Sequence, residues 1–271
     1  MINSGADVVK TRKKIENTSI RKTTYADWLS NLFTGSFAEK TGFVFSWKMT
    51  SRSRDFKLKV YPSIGYLAVY VVIIFFNSKS LDLQQLKEGG TQSRILIISA
   101  LYFTSLILTM AINQIIYSEK YKAAWIYYVT PLAKPGELIL GSAKAAILKF
   151  YIPIVVFITA AGIVLIGVNV LPNIILGLFN ELLIVTILVY AGNKMLPFSI
   201  QQNNNAKAGS FLRNMGVLAF SGLLAVGHFF IYDITPVVII GCILSIGATW
   251  MMMKSIKNIT WQTVKSSYSD E

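Results

Sequence analysis

Two ionisable side chains, Glu181 and His228, lie deep inside long apolar runs. A charged group buried in such a run is costly, and where one occurs in a membrane it commonly serves a pathway, a proton relay or a partner group. At about 1.5 Å rise per helical residue, Glu181 sits roughly 10 Å from the outer end of its run and His228 about 20 Å from the inner end of its own. In a hydrocarbon layer ~30 Å thick these are similar depths. Two readings follow: Glu181 and His228 meet as a hydrogen-bonded couple or polar surface, or Glu181 is a buried acid bonded to a neighbouring helix. A separation beyond ~10 Å, too far for contact or a single bridging water, would remove the couple.

Catalytic chemistry is poorly served elsewhere. There is one histidine, and there is no HExxH, no GxxxxGK[ST] phosphate loop, no nucleophile elbow and no carboxylate-rich metal motif. The chain is therefore expected not to be an enzyme, with no cofactor, no metal and no ATP hydrolysis of its own. The single cysteine, Cys242, stands inside an apolar run, cannot form an intrachain disulfide, and reads as packing.

A second group of residues offers recognition. Between Ser118 and Pro131 the chain runs Glu119, Lys120, Tyr121, Lys122, Ala123, Ala124, Trp125, Ile126, Tyr127, Tyr128. Tyr121 with Trp125, and Trp125 with Tyr128, fall at helical spacing, so a short amphipathic helix here can offer aromatic anchors to a partner's groove. The alternative is a helix resting on a bilayer surface. Lys134-Pro135-Gly136-Glu137 supplies a helix start, with proline in the first turn and an acid at the positive end of the helix dipole. Gly141, Ser142, Ala143, Ala145 and Ala146 then allow a close helix crossing.

The elements that must position these groups are membrane spans. Hydrophobic residues make up 54% of the 271 and charged ones only 14%, against about 25% charged in an average soluble domain. The apolar residues gather in blocks near the ~20 residues that cross a bilayer. Reading the blocks gives an all-α, polytopic protein with six spans: 61–76, 95–117, 145–171, 174–190, 215–231 and 237–253. Pro153 predicts a kink in the third span, and tight antiparallel hairpins are expected around Pro172-Asn173 and around Asp233 to Pro236.

The charge distribution orients the spans. Of 26 Lys and Arg residues, 12 precede Tyr61, and an N-terminus placed inside puts 23 of the 26 on the cytoplasmic side. The excess of +13 is thus read as orientation and membrane-surface attraction, not nucleic-acid binding. Four regions result: a polar basic cytoplasmic arm (1–24) too poor in apolar residues to fold alone, an amphipathic interfacial segment (25–60), the six-helix transmembrane domain (61–254) and a cytoplasmic tail (255–271). Trp28, Trp47, Lys48, Arg52, Arg54, Lys57 and Lys59 are the expected interfacial anchors. No secretory signal precedes the first apolar run. The expected location is the cell's inner (cytoplasmic) membrane, multi-pass, with both termini cytoplasmic.

Two stretches carry a resemblance. One is Gly42-Phe43-Val44-Phe45-Ser46-Trp47-Lys48-Met49-Thr50-Ser51-Arg52 with its continuation Phe56 to Tyr66; the other is Glu119 to Trp125 with Pro131 and Pro135-Gly136-Glu137. Over most of Gly42 to Pro153 the chain resembles integral membrane permeases of bacterial ABC-type exporters, and beyond that it matches in hydropathy and arrangement. The resemblance implies a permease subunit whose loop between the second and third helices couples to a separate ABC-type ATPase subunit, with Glu119, Lys120, Tyr121, Lys122 and Trp125 as the coupling residues. A second permease subunit, identical or related, would complete the pathway in the bilayer. Some chains of that family are longer upstream, so the polar start also suits a trimmed end. The alternatives are an ion-coupled secondary transporter using Glu181, and an intramembrane enzyme or assembly scaffold.

Overall fold

The structure, a computed structural model, describes residues 24–77, 90–192, 194–201 and 207–264. The expected basic arm therefore lies outside the described residues except for Thr24, as do residues 78–89, 202–206 and the last residues of the tail from 265 onward.

The described residues are helical: α1 (Tyr25–Phe33), α2 (Phe37–Arg52), α3 (Arg54–Asn77), α4 (Thr91–Gln114), α5 (Pro135–Ala146), α6 (Ile152–Leu165), α7 (Leu171–Ala191), α8 (Lys207–Ile231) and α9 (Thr235–Lys257). Five continuous helical stretches are long and apolar enough to cross a membrane: 91–114, 135–165, 168–191, 213–231 and 235–257. The first block read from the sequence, 61–76, forms the later part of α3 and is not among those five. α4 lies at the centre, packed on α3, α7 and α8, while α7 also packs along α9. The large side chains Leu223, Val226, Phe230, Ile243, Leu244 and Met251 of α8 and α9 point outward. So much contiguous apolar surface suits a lipid solvent and not water.

Two boundaries differ from the sequence reading. The third span begins ten residues earlier than expected, at Pro135, and the chain reverses at Gly167, not at Pro172-Asn173. Gly167 has φ 111°, a left-handed value that glycine adopts without a Cβ clash. Pro172 falls in the first turn of α7, where its missing N–H removes no helical bond. The expected irregularity at Pro153 takes the form of a π turn, Ile147–Tyr151, whose widened ring closes from the Ile152 N–H to the Ile147 carbonyl. Pro153 follows the turn directly, so its missing N–H falls where the widened ring has already broken the regular bonding of the continuous stretch 135–165. The second expected hairpin stands, with α8 ending at Ile231 and α9 starting at Thr235.

The N-terminal helices are bolted to the stretch 135–165. α2 crosses α5 so closely that a Cβ on Gly42 would lie 2.4 Å from the Leu138 carbonyl oxygen, and one on Gly141 2.0 Å from that of Glu39. The small residues of α5 thus do allow a close crossing. Glu39, only 2% exposed, pairs with Lys144 at 2.5 Å, and the same ammonium donates to the Phe33 carbonyl at the end of α1 (2.8 Å). Lys149 finishes α2 in the same way, donating to the Trp47 carbonyl (2.9 Å), Thr50 Oγ1 (2.7 Å) and Ser51 Oγ (2.6 Å). Outward from this, α1 leaves Tyr25, Trp28, Leu32 and Phe33 exposed, an apolar face of the kind that rests in a bilayer interface.

Gly141→Leu forces backbone apart where no side chain can yield, so it should lower the melting temperature in detergent or abolish the monodisperse peak in size-exclusion chromatography, whereas Gly65→Ala, with open space around its Cβ, should leave both unchanged. Lys144→Met strands a buried carboxylate and should cost about 3–5 kcal/mol in detergent unfolding. The Glu39→Met/Lys144→Met double variant should recover most of that loss; equal destabilisation by the single and double variants would show that the pair does not matter.

Candidate functional site

Glu181 and His228 do lie in one polar seam, but no hydrogen bond or ion pair joins them among the described residues. They approach Tyr102 of α4 from two sides. Ser221 of α8 donates to Glu181 Oε1 at 3.0 Å and lies 3.5 Å from the Tyr102 carbonyl, whereas His228 Nδ1 faces the Tyr102 hydroxyl at 3.3 Å. The reading of Glu181 as a buried acid bonded to a neighbouring helix therefore describes it better than a direct couple does. Its other oxygen, Oε2, is buried without a partner.

The bond directions form one consistent set. Asn180 of α7 donates to the Tyr102 hydroxyl (2.7 Å) and accepts from Ser245 of α9 (2.6 Å). With Asn180 supplying that hydrogen, Tyr102 is free to give its own to His228 Nδ1. His228 Nε2–H then donates to Asn173 Oδ1 at 3.0 Å, and Asn173 Nδ2 donates to the Tyr232 carbonyl at 3.3 Å. This assigns the imidazole as the Nε2–H tautomer from its partners. Beyond Tyr232, Arg94 stacks over the ring at 5.9 Å and pairs with Asp233 at 2.5 Å, tying the start of α4 to the α8–α9 turn. Burial raises the Tyr232 phenol above its ordinary pKa, Asp233 adds to the rise and Arg94 opposes it.

Sequence reading found Glu181 and His228 but missed Tyr102, Asn173, Asn180, Ser221 and Ser245. A signal existed. Asn173, Gly177 and Asn180 recur at helical spacing on α7, Ser221 and His228 stand two turns apart on α8, and Cys242, Ser245 and Thr249 form a stripe on α9. Each stripe is small or polar and turned inward, the pattern that brings membrane helices together.

The loop after α4 folds differently from the single amphipathic helix expected. Tyr121–Trp125 is a 3-10 turn and Ile126–Val129 one turn of α-helix. The unit is pinned from three directions. Tyr117 and Ser118 join Ile200 through a short parallel bridge, with the Ser118 N–H 3.0 Å from the Ile200 carbonyl. Tyr127 donates to the Pro197 carbonyl (3.1 Å) and packs edge-on against Phe45 of α2, and Tyr128 packs on Trp261 beyond α9. Burial pushes the Tyr127 phenol above its ordinary pKa. Of the expected coupling residues, Glu119, Lys120 and Lys122 are exposed, Tyr121 is half-buried, and Trp125 is 56% exposed beside outward-facing Ile126 and Val129.

No family model, curated protein or solved structure matches this chain.

Among the expected anchors, Trp28 is exposed and stacks on Tyr25, while Trp47 is half-buried between Phe43 and the Lys149 ammonium. Arg52, Arg54 and Lys59 are exposed, and Lys48 and Lys57 are half-buried. Among the described residues no cluster of three or more His, Cys, Asp or Glu is arranged to hold a metal.

Tyr102→Phe removes the hydroxyl that receives Asn180 and reaches His228, whereas Ser221→Ala removes one donor. Interhelical hydrogen bonds in membranes are worth about 0.6 kcal/mol on average and up to ~1.7. In a detergent unfolding titration, Tyr102→Phe should cost about 1–2 kcal/mol and Ser221→Ala under about 1 kcal/mol; a reversed order would show that Tyr102 is not the hub.

Proposed function

We propose that the chain is the membrane-spanning permease subunit of an ATP-driven exporter of the ABC type. It crosses the cell membrane six times with both termini in the cytoplasm, α3 supplying the first span, and a separate ATPase subunit docks on the loop between α4 and α5. A second permease subunit lines the pathway with it. The chemistry of ATP belongs to the partner; this chain converts a push into a change of helix packing by favouring one of two arrangements.

One observation carries this reading: the loop displays Trp125, Ile126 and Val129 outward while its inner side is fastened to α2, to the 194–201 segment and to the residues after α9. A mere connector has no need of both. An exposed aromatic and two aliphatics make a hot-spot patch for a partner's groove, with Glu119 and Lys120 as polar rim. The inner fastenings give a displacement three routes into the bundle.

A second reading draws on Glu181. A fully buried carboxyl with one oxygen unpartnered, beside a seam that leads to the α8–α9 turn, suits an ion-coupled secondary transporter.

Tyr121→Ala/Trp125→Ala should leave detergent stability near wild type, abolish co-purification of an ATPase from native membranes and remove substrate-stimulated ATP hydrolysis. Transport by the purified chain driven by an ion gradient alone, and lost in Glu181→Gln, would replace the first reading with the second.

A further inference from the structure

The described residues pair Arg94 with Asp233, Lys144 with Glu39 and Lys257 with Glu137; Lys149 has no acid but is held by three oxygens of α2, and a second cation without an acid is poorly satisfied. That cation is Arg213, at the first turn of the apolar stretch of α8. Its Nη2 donates to Asn113 Oδ1 of α4 at 3.1 Å, and Asn113 in turn donates to Asn214 at 2.7 Å. Its Nε is buried and has no partner. A guanidinium has five N–H donors and cannot shed its charge, so one amide oxygen satisfies little of it.

The same arginine closes one end of an apolar groove. Between α7 and α8 a cavity of about 260 Å³ is walled by Ile184, Ile187, Leu188, Val217 and Phe220 and borders Arg213. Its rim is small: Ala191 and Gly216 are exposed, and nothing lies within 4 Å of the place a Gly216 Cβ would occupy. The two helices therefore part where the cation stands, and the opening faces outward between two spans.

We propose that this groove binds an anionic phospholipid, its phosphate on Arg213 and an acyl chain along Ile187, Val217 and Phe220. Charge and shape agree on this occupant. A phosphate supplies the bidentate acceptor that a guanidinium lacks here, an acyl chain fills an apolar slot that water would leave unsatisfied, and both belong to one molecule of the leaflet the groove opens onto. In the proposed topology that leaflet is the inner one, where anionic lipid attracts basic residues. The site requires a membrane but no ATPase, so it stands or falls apart from the exporter reading.

The test uses the purified full chain in a neutral detergent, titrated with dioleoyl phosphatidylglycerol, dioleoyl phosphatidylcholine, glycerol phosphate or inorganic phosphate, with bound lipid counted by native mass spectrometry and stability followed by thermal melting. Phosphatidylglycerol should bind and raise the melting temperature, while phosphatidylcholine at equal concentration and the two soluble phosphates should not. Arg213→Gln should weaken phosphatidylglycerol binding at least tenfold, Arg213→Lys by less, and Lys120→Gln, on the exposed loop after α4, not at all. Gly216→Leu, which fills the groove from a position with free space, should also weaken binding while melting near wild type without lipid; it carries the test if Arg213→Gln does not fold. Equal response to the two lipids, a shift with soluble phosphate, or unchanged binding in Arg213→Gln or Gly216→Leu would overturn the site.

Discussion

The hydroxyl of Tyr102 is the point on which the helical packing turns. In a hydrocarbon solvent no water is at hand to satisfy a polar side chain; a hydroxyl such as that of Thr104 or Ser105 can turn back on a carbonyl of its own helix, but Tyr102, Asn180 and His228 find their partners on other helices. Tyr102 receives Asn180 and gives to His228, and its backbone carbonyl lies near Ser221; α4, α7 and α8 are thereby fixed in mutual rotation, and Ser245 brings in α9 through Asn180. Dispersion holds these helices together but specifies rotation weakly, since one leucine face resembles another. The polar seam is what selects a single register among them.

The other end of the bundle is organised by lysine and glycine. Lys144 and Lys149 lie within the apolar stretch 135–165, yet their ammonium groups end on backbone carbonyls of α1 and α2. A helix C-terminus is a cluster of unsatisfied oxygens, and a cation held there by a neighbouring element completes it. The glycines at 42 and 141 let the backbones approach enough for those side chains to reach. Thus the amphipathic segment is part of the bundle at one face and offers Trp28 and Leu32 outward at the other. Above it, Tyr127 against Phe45 joins the loop after α4 to the same platform, and Tyr128 against Trp261 joins that loop to the residues after α9.

The spans were legible because solvent in a membrane dictates composition over some twenty residues at a time, a signal no tertiary contact can mask. Five of the six blocks became long apolar helices, and Glu181 and His228 stood out for the same reason. What could not be read was local. Pro172-Asn173 has turn chemistry, but proline is equally at home in a first helical turn, and the reversal went to Gly167, whose role depends on a positive φ that sequence does not display. The start of the stretch 135–165 reads ten residues late because Lys144 interrupts its hydropathy; the cost of that lysine is met by Glu39 and the Phe33 carbonyl, on helices whose proximity only the fold reveals. Asn180 and Ser245 were overlooked because each is unremarked alone and acquires meaning only across a helix pair.

The π turn at Ile147–Tyr151 gives the long helical stretch 135–165 two phases. One extra residue in a turn rotates everything downstream by about 100° relative to everything upstream. The stripe that meets α2 through Gly141 and the stripe that meets α4 and α7 beyond Tyr151 are consequently not one continuous heptad but two, offset at the turn. A drawing of this helix as a single wheel would scatter its buried residues around the circumference. Read as two wheels, α5 is buried almost all round between its neighbours while α6 turns one face inward through Val155, Ile158 and Gly162, and the turn between them behaves as a gear tooth that sets how the α1–α2 platform is clocked against the core of the bundle.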